Sequence, residues 1–243
     1  MSKILIAAEL ARRYHLGQTR KHNGRPYLTH LCRVAGRVAT RAWADEDDVA
    51  AGYLHDIEEE IGSSSSVLHA EIKEKIINLC GHAVWSKVAA LSNPSRGMNA
   101  SREERKKLDR EHLARQPQNI KGIKLIDRID NLDECLRDIQ SGVHWDLTFH
   151  QTYANESELL LLEALKGTDL DLEVEMIESI AALREAVTTW LGRKAVTVVE
   201  IMKLLCNDDS SLKAFGMVSS EARFKIMLDL AEVLKVALVG RRL

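Results

Sequence analysis

Apolar residues return at three- and four-residue intervals through most of the chain, which is the period of a helix face and not of a strand. The clearest run is Leu125, Ile129, Leu132, Leu136 and Ile139. Leu28, Leu31, Val34 or Ala35, and Val38 make another, as do Ile72, Ile76 and Leu79, followed by Val84, Val88 and Leu91. Later helices are expected at Leu159–Leu165, through Met176, Ile180, Leu183, Val187 and Trp190, and through Met227, Leu230, Leu234 and Leu238. The segment Ala195–Ile201 is β-branched, but it lies between helical patterns with no second strand to pair with, so it too is read as helix. Only 3 prolines and 13 glycines in 243 residues leave little turn chemistry for an all-β alternative. The expected class is all-α.

Breakers mark the loops: Gly17–Pro26, Ser63–Ser66, Asn93–Ser101 and Gln116–Asn119. A seam at Gly167–Asp171 separates an expected domain over 1–166 from a helical extension over 167–243. The opening MSKILIAAELARRY reads as the first turns of an amphipathic helix, not as a cleavable leader. No run reaches the ~18–20 apolar residues of a membrane span. Cys32, Cys80, Cys135 and Cys206 form no paired motif. Each lies in an apolar-periodic stretch, so buried free thiols in a reducing cytoplasm are expected.

A net charge of −2 excludes a nucleic-acid binder held by bulk positive charge. The charge is nonetheless segregated. Leu10 to Ala44 contains no acid and carries Arg12, Arg13, Arg20, Lys21, Arg25, Arg33, Arg37 and Arg41. Asp45 to Glu60 contains no Lys or Arg. Two readings stand: a pair of mutually attracting solvated helix faces, or an anion-binding wall beside a metal-binding wall. His55-Asp56 opens the acidic Glu58-Glu59-Glu60 run. Such a cluster is either a solvated helix end or the start of a site for a divalent cation, since acids packed beside a histidine need positive charge. Further donors for a mixed imidazole–carboxylate set are His30, after the basic loop, and Asp127 and Asp130 on the Leu125–Ile139 helix.

Three ordered segments resemble the hydrolase domain of the RelA/SpoT family. Gly17-Gln18-Thr19-Arg20-Lys21 with Gly24-Arg25-Pro26-Tyr27-Leu28-Thr29-His30 resembles its opening "GQxRK…GxPYxxHP". Ala50-Ala51-Gly52-Tyr53-Leu54-His55-Asp56-Ile57-Glu58-Glu59-Glu60 resembles "AAxLHDxxED", and Lys124 to Leu132 resembles "KLADRxxNM". Weaker matches lie at Ala7 to His15, Gly81, Val88 to Ser92, and Glu104-Arg105-Lys106. The resemblance spans roughly residues 3–165.

What the resemblance implies is a small alarmone hydrolase, the single-domain form of that family. It implies an HD-type helical bundle and removal of the 3′-pyrophosphate from (p)ppGpp or (p)ppApp. By motif position His30, His55, Asp56 and Asp127 hold one Mn²⁺, or Fe²⁺ with the same donors. Glu59 and Glu60 handle the attacking water, and Arg20, Lys21 and Asn131 bind the nucleotide. The other arginines of the basic segment are expected at the surface. The implied partner is a small-molecule nucleotide, with neither nucleic acid nor membrane; a homo-oligomer is compatible with this reading. Alternatives on the same metal site are a nucleotidase or NADPH phosphatase, and an inactive alarmone-binding module. The chain departs from the family pattern at Leu31 (for Pro), at Glu60 (for Asp), at Asp130 (for His or Tyr) and in a basic loop lengthened at His22-Asn23. Asp130 is expected beside the nucleoside, where an acid would bear on base preference.

Overall fold

A computed structural model describes residues 2–21, 23–61, 66–142 and 147–206, with residues 192–206 as backbone alone. The described residues form helices and no strand: α1 Lys3–Tyr14, α2 Leu28–Val38, α3 Glu46–Leu54, α4 Ile57–Glu60, α5 Ser66–Cys80, α6 His82–Leu91, α7 Arg102–Ala114, α8 Gln118–Gln140, α9 Leu147–Leu160 and α10 Leu170–Cys206. A π-helical turn over Leu161–Leu165 ends α9. The all-α expectation is met. Ala195–Ile201 is helical as part of α10. The helix expected through Met227–Leu238, residue 22 and most of the Ser63–Ser66 loop lie outside the described residues.

The chain divides into two compact units. The first comprises Met1–Glu134 and Glu156–Ser179, and contains every residue assigned a role below. Within it α3 packs on α1, α2 and α6, and α5 packs on α6 and α1. Gly52 makes the α2–α3 approach close: a Cβ there would lie 3.1 Å from the Ala35 Cα. The middle of α8 is buried on nearly all sides, with Ile120, Ile123, Leu125, Ile126, Ile129 and Leu132 in the core. A helix apolar all round belongs in the interior, so its polar residues need a reason to be there. The second unit comprises Cys135–Asn155 and the chain from Ile180 onward. In it Ile139, Leu147, Ala154, Leu183 and Val187 are buried, and Phe149 stacks on Tyr153 at 5.5 Å.

Local chemistry fixes the helix starts. The Ser2 hydroxyl caps α1 by accepting from the Ile4 N–H. Asp45 and Asp48 form a capping box on α3, and Ser101 and Glu104 form one on α7. Such reciprocal bonds satisfy N–H groups that the helix leaves without partners. The acidic segment therefore divides into two tasks. Its first four acids sit at the positive end of α3 and bind Lys3, Lys87, Ser2 and backbone N–H groups; only the later acids approach the candidate site.

Several expectations are corrected. Cys32 is exposed, at the flank of the buried stripe of α2 formed by Leu31, Val34, Ala35 and Val38. Cys80 is buried and Cys135 half-buried, while the side chain of Cys206 lies outside the described residues. Leu79 is 46% exposed, because the buried stripe of α5 runs Ile72, Ile76, Cys80. The break before α8 is shorter than expected: Asn119 is already helical and donates to Asp48 at 2.7 Å.

Candidate metal centre and hydrolytic site

Two histidines and two aspartates from three segments converge. His30 comes from α2, where the start of the helix turns it inward; its side chain is fully buried. His55 and Asp56 follow α3, where the backbone leaves the regular helix: Asp56 has φ −97° and ψ −3°. On an unbroken helix consecutive side chains diverge by about 100°. This break brings His55 Nε2 and Asp56 Oδ2 to 3.1 Å. Asp127 arrives from the buried middle of α8, with Oδ1 3.3 Å from His30 Nε2 and 3.5 Å from His55 Nε2. The two imidazole Nε2 atoms are 3.3 Å apart, and His30 Nε2 lies 3.5 Å from Asp56 Oδ2.

The donor chemistry fits a cation. His55 Nδ1 faces the Gly52 carbonyl at 2.8 Å, and His30 Nδ1 faces Asp130 Oδ2 at 2.6 Å. Each Nδ1 therefore carries the proton, which leaves both Nε2 lone pairs aimed at one point when the rings are neutral. Donor separations of 3.1–3.5 Å match the edges of a coordination polyhedron with bonds of about 2.1 Å, about 3.0–3.4 Å. His30, His55 and Asp56 are a group able to hold a metal ion; Asp127 Oδ1 joins it through the two imidazole nitrogens, at 3.3 and 3.5 Å.

The electrostatics say the same. Burial alone would lower both imidazoles. Asp127, Asp130 and Asp56 override it for His30, which is held well above its ordinary value. Asp56 and Asp127 hold His55 up at about 9. The carboxyls of Asp56 and Asp127 are driven well below the usual range against the cost of burial, by His55 and His30 in the first case and by Lys124 and the two histidines in the second. Protons thus compensate a surplus of buried negative charge, a task a dication performs equally well.

Tyr27 donates its hydroxyl to Asp56 Oδ2 at 2.7 Å, and the Lys124 ammonium lies 2.8 Å from Asp127 Oδ2. Asn131 donates to Asp127 Oδ1 at 2.7 Å and accepts from Arg20 through its own Oδ1. The Arg20 guanidinium lies over the Tyr27 ring, 5.2 Å from its centre, and reaches Glu134 at 2.9 Å. Asn23 donates to the other Glu134 oxygen at 2.9 Å. Thr19 and Pro26 pair across the loop, and the Arg20 N–H donates to the Arg25 carbonyl at 2.8 Å. That pairing presents Arg20 inward, while Lys21 is exposed at the tip.

Glu59 accepts from the Asn93 backbone N–H at 2.8 Å, and Glu60 accepts from Gln18 at 2.9 Å. Burial raises the Glu59 carboxyl, partly offset by Lys124. Both acids line a cavity of about 290 Å³ with Asn93, Ser95, Asp109 and four cations: Arg96, Arg102, Arg105 and Lys106. Glu58 points elsewhere, to Ser92 and His69.

His30, His55, Asp56 and Asp127 are thus together, with Arg20 and Asn131 alongside and Glu59 and Glu60 on an adjoining cavity; Lys21 is not drawn in. Sequence reasoning missed Gln18, Tyr27, Lys124 and Glu134. The last two were findable, because Lys124, Asp127, Asn131 and Glu134 recur at helical spacing on one face of an otherwise apolar helix. Two readings need correction. Asp130 does not face a nucleoside: it binds His30 and, at 2.6 and 2.9 Å, Arg33. Arg33 is accordingly no idle surface arginine, and Arg37 pairs with Glu175 at 2.6 Å. Arg12 and Arg13 do lie at the surface, on Glu9.

A family model described as "HD domain" matches residues 7–148. The guanosine-3′,5′-bis(diphosphate) 3′-pyrophosphohydrolase MESH1 of Drosophila melanogaster is 26% identical over 179 residues, covering 73% of this chain and 92% of the fly protein. A solved structure of a metazoan ortholog of SpoT, described as hydrolysing ppGpp and playing a role in starvation responses, superposes with a TM-score of 0.61 at 26% identity. That match covers 74% of this chain and 95% of the other. No described helix is long and apolar enough to cross a membrane.

Proposed function

Because the chain belongs to the HD-domain family, we propose that it is a metal-dependent hydrolase that removes the 3′-pyrophosphate of (p)ppGpp or (p)ppApp. One observation carries the reading. Four side chains able to donate to a cation stand beside a cavity lined by three carboxylates and four basic side chains. A polyanionic ester and a divalent ion are the ligands that this charge arrangement suits. The fly relative and the metazoan structure, whose names state this activity, support it.

We assign His30, His55, Asp56 and Asp127 to Mn²⁺, with Fe²⁺ able to use the same donors. When bound, the ion supplies Lewis-acid polarisation and lowers the pKa of water. Glu59, with its raised carboxyl and one oxygen fixed by the Asn93 N–H, takes the proton of the attacking water. Glu60, fixed by Gln18, orients that water. The water oxygen bonds to phosphorus, the bond from phosphorus to the ribose 3′ oxygen breaks, and the proton completes the 3′ hydroxyl. Arg20 offers the guanidinium face turned from Tyr27 to the purine. Asn131 contacts the nucleoside, and Lys21 meets a phosphate at the mouth. Every group so assigned lies within residues 1–166, the segment we take as the hydrolase domain, with 167–243 appended to it.

The test is a product-resolved assay of the metal-loaded protein on ppGpp, ppApp and NADPH. Pyrophosphate is expected from at least one alarmone. Orthophosphate from NADPH with no pyrophosphate from either alarmone overturns the proposal.

A further inference from the structure

We infer that Asp130, clamped by Arg33, is the carboxylate that orients His30 toward the metal, so that the departure from the family pattern at this position acts on the metal and not on the nucleoside. The inference rests on the reading of His30 as a ligand.

The geometry is specific. Asp130 Oδ2 sits 2.6 Å from His30 Nδ1, on the side of the ring opposite the converging donors. The Arg33 guanidinium grips the same carboxylate in a two-pronged contact, Nε to Oδ1 at 2.6 Å and Nη2 to Oδ2 at 2.9 Å. One turn of α2 separates His30 from Arg33, so a single helix face delivers both to one acid on α8. Asn131, the next residue along α8, points to Arg20 and Asp127. Asp130 is 4% exposed and both of its oxygens already accept hydrogen bonds inside the protein, so it is not presented to a base amino group.

The two imidazoles are consequently unequal. His55 is backed by a neutral carbonyl, that of Gly52. His30 is backed by a carboxylate that a guanidinium holds in place. A carboxylate on the far nitrogen fixes the ring and its tautomer and makes the ligating nitrogen a stronger donor; losing such a partner typically weakens metal binding about 10–100-fold. Arg33 acts at one remove, by keeping Asp130 from turning away.

The test measures Mn²⁺ binding by the metal-free full chain, from the loss of the electron paramagnetic resonance signal of aqueous Mn²⁺. Helical circular dichroism of each variant checks its fold. Asp130→Ala is expected to weaken binding about 10–100-fold. Asp130→Asn keeps an acceptor but not the charge and should weaken it by about threefold or more; it carries the test alone if the alanine variant does not fold. Asp133→Asn, on the same helix but bonded to Ser179 at 2.9 Å, should bind like wild type. Wild-type affinity in both Asp130 variants overturns the inference, as does equal weakening in Asp133→Asn, which would make the effect one of net charge. A wild-type chain that takes up no Mn²⁺ overturns the metal reading itself, and the inference with it.

Discussion

Gln18 donates its side-chain amide to Glu60 at 2.9 Å, and His15 decides which end of that amide faces the acid. His15 Nδ1 lies 2.6 Å from Gln18 Oε1. Burial lowers the His15 pKa, which keeps the ring neutral with one proton to give. The ring also stacks on Tyr27, nearly parallel at 5.2 Å. Gln18 is a positioning residue for Glu60 in this arrangement. Gln18→Leu should lower kcat about 10–100-fold with little change in KM. Steady-state kinetics that move KM and spare kcat would assign Gln18 to substrate binding instead.

If Asp127 ligates the metal as proposed, Lys124 and the ion share its carboxylate and oppose one another. Lys124→Met should destabilise the metal-free protein by about 1–3 kcal/mol, because a buried carboxylate loses its ammonium partner. It should also increase the rise in melting temperature on adding Mn²⁺. Urea unfolding and thermal melts, each with and without metal, check both halves. A smaller metal-induced rise in the variant would contradict the opposition.

Lys106 lies in the cationic cavity, and burial, reinforced by nearby Arg128, lowers its pKa. The sign follows directly: a lowered lysine loses its charge at a lower pH than an ordinary one. Attraction for an anionic substrate therefore fades on the alkaline side earlier than free lysine chemistry requires. The value of kcat/KM, which reports the free enzyme, should fall there. Lys106→Arg should move that fall to higher pH, since guanidinium keeps its proton. A superimposable profile for the variant would remove Lys106 from substrate binding.

Asp45 shows the opposite dependence in the fold. Lys87 bridges Asp45 at 3.0 Å and the buried Asp48 at 2.6 Å. Asp45 is held below its ordinary value against partial burial, chiefly by Lys87. A lowered acid contributes stability above its unfolded pKa of about 3.9 and loses it as pH falls through the folded value. Lys87→Met should cost about 1–3 kcal/mol at neutral pH, because the buried Asp48 carboxylate loses its ammonium and keeps only the Asn119 amide and the Asp45 N–H. The part of that cost that runs through Asp45 should shrink below pH ~4 in urea titrations. A pH-independent cost would mean that packing, not charge, holds this corner.

Periodicity exposed the helices because each buries one stripe, but it left the stripe's edge uncertain by a residue. Leu79 and Cys80 are 100° apart on α5, and either completes the pattern begun by Ile72 and Ile76. The residues converging on the cation cluster were legible because motif order tied three segments together. The supporting contacts were not. Gln18 meets Glu60 across 42 positions and Arg20 meets Asn131 across 111, and nothing local in either stretch announces the other. Asp130 shows the limit most plainly: its neighbour Asn131 suggested one environment, while a turn of 100° about the helix axis gave it another.

The donors are scattered along the chain, with His30 25 positions before His55 and 97 before Asp127. On the proposed reading a nascent chain has His30, His55 and Asp56 outside the ribosome well before α8, so three of the four donors precede the last. The full set is complete only when α8 docks and brings Asp127. Chains truncated before α8 should then hold a cation more weakly than the full chain.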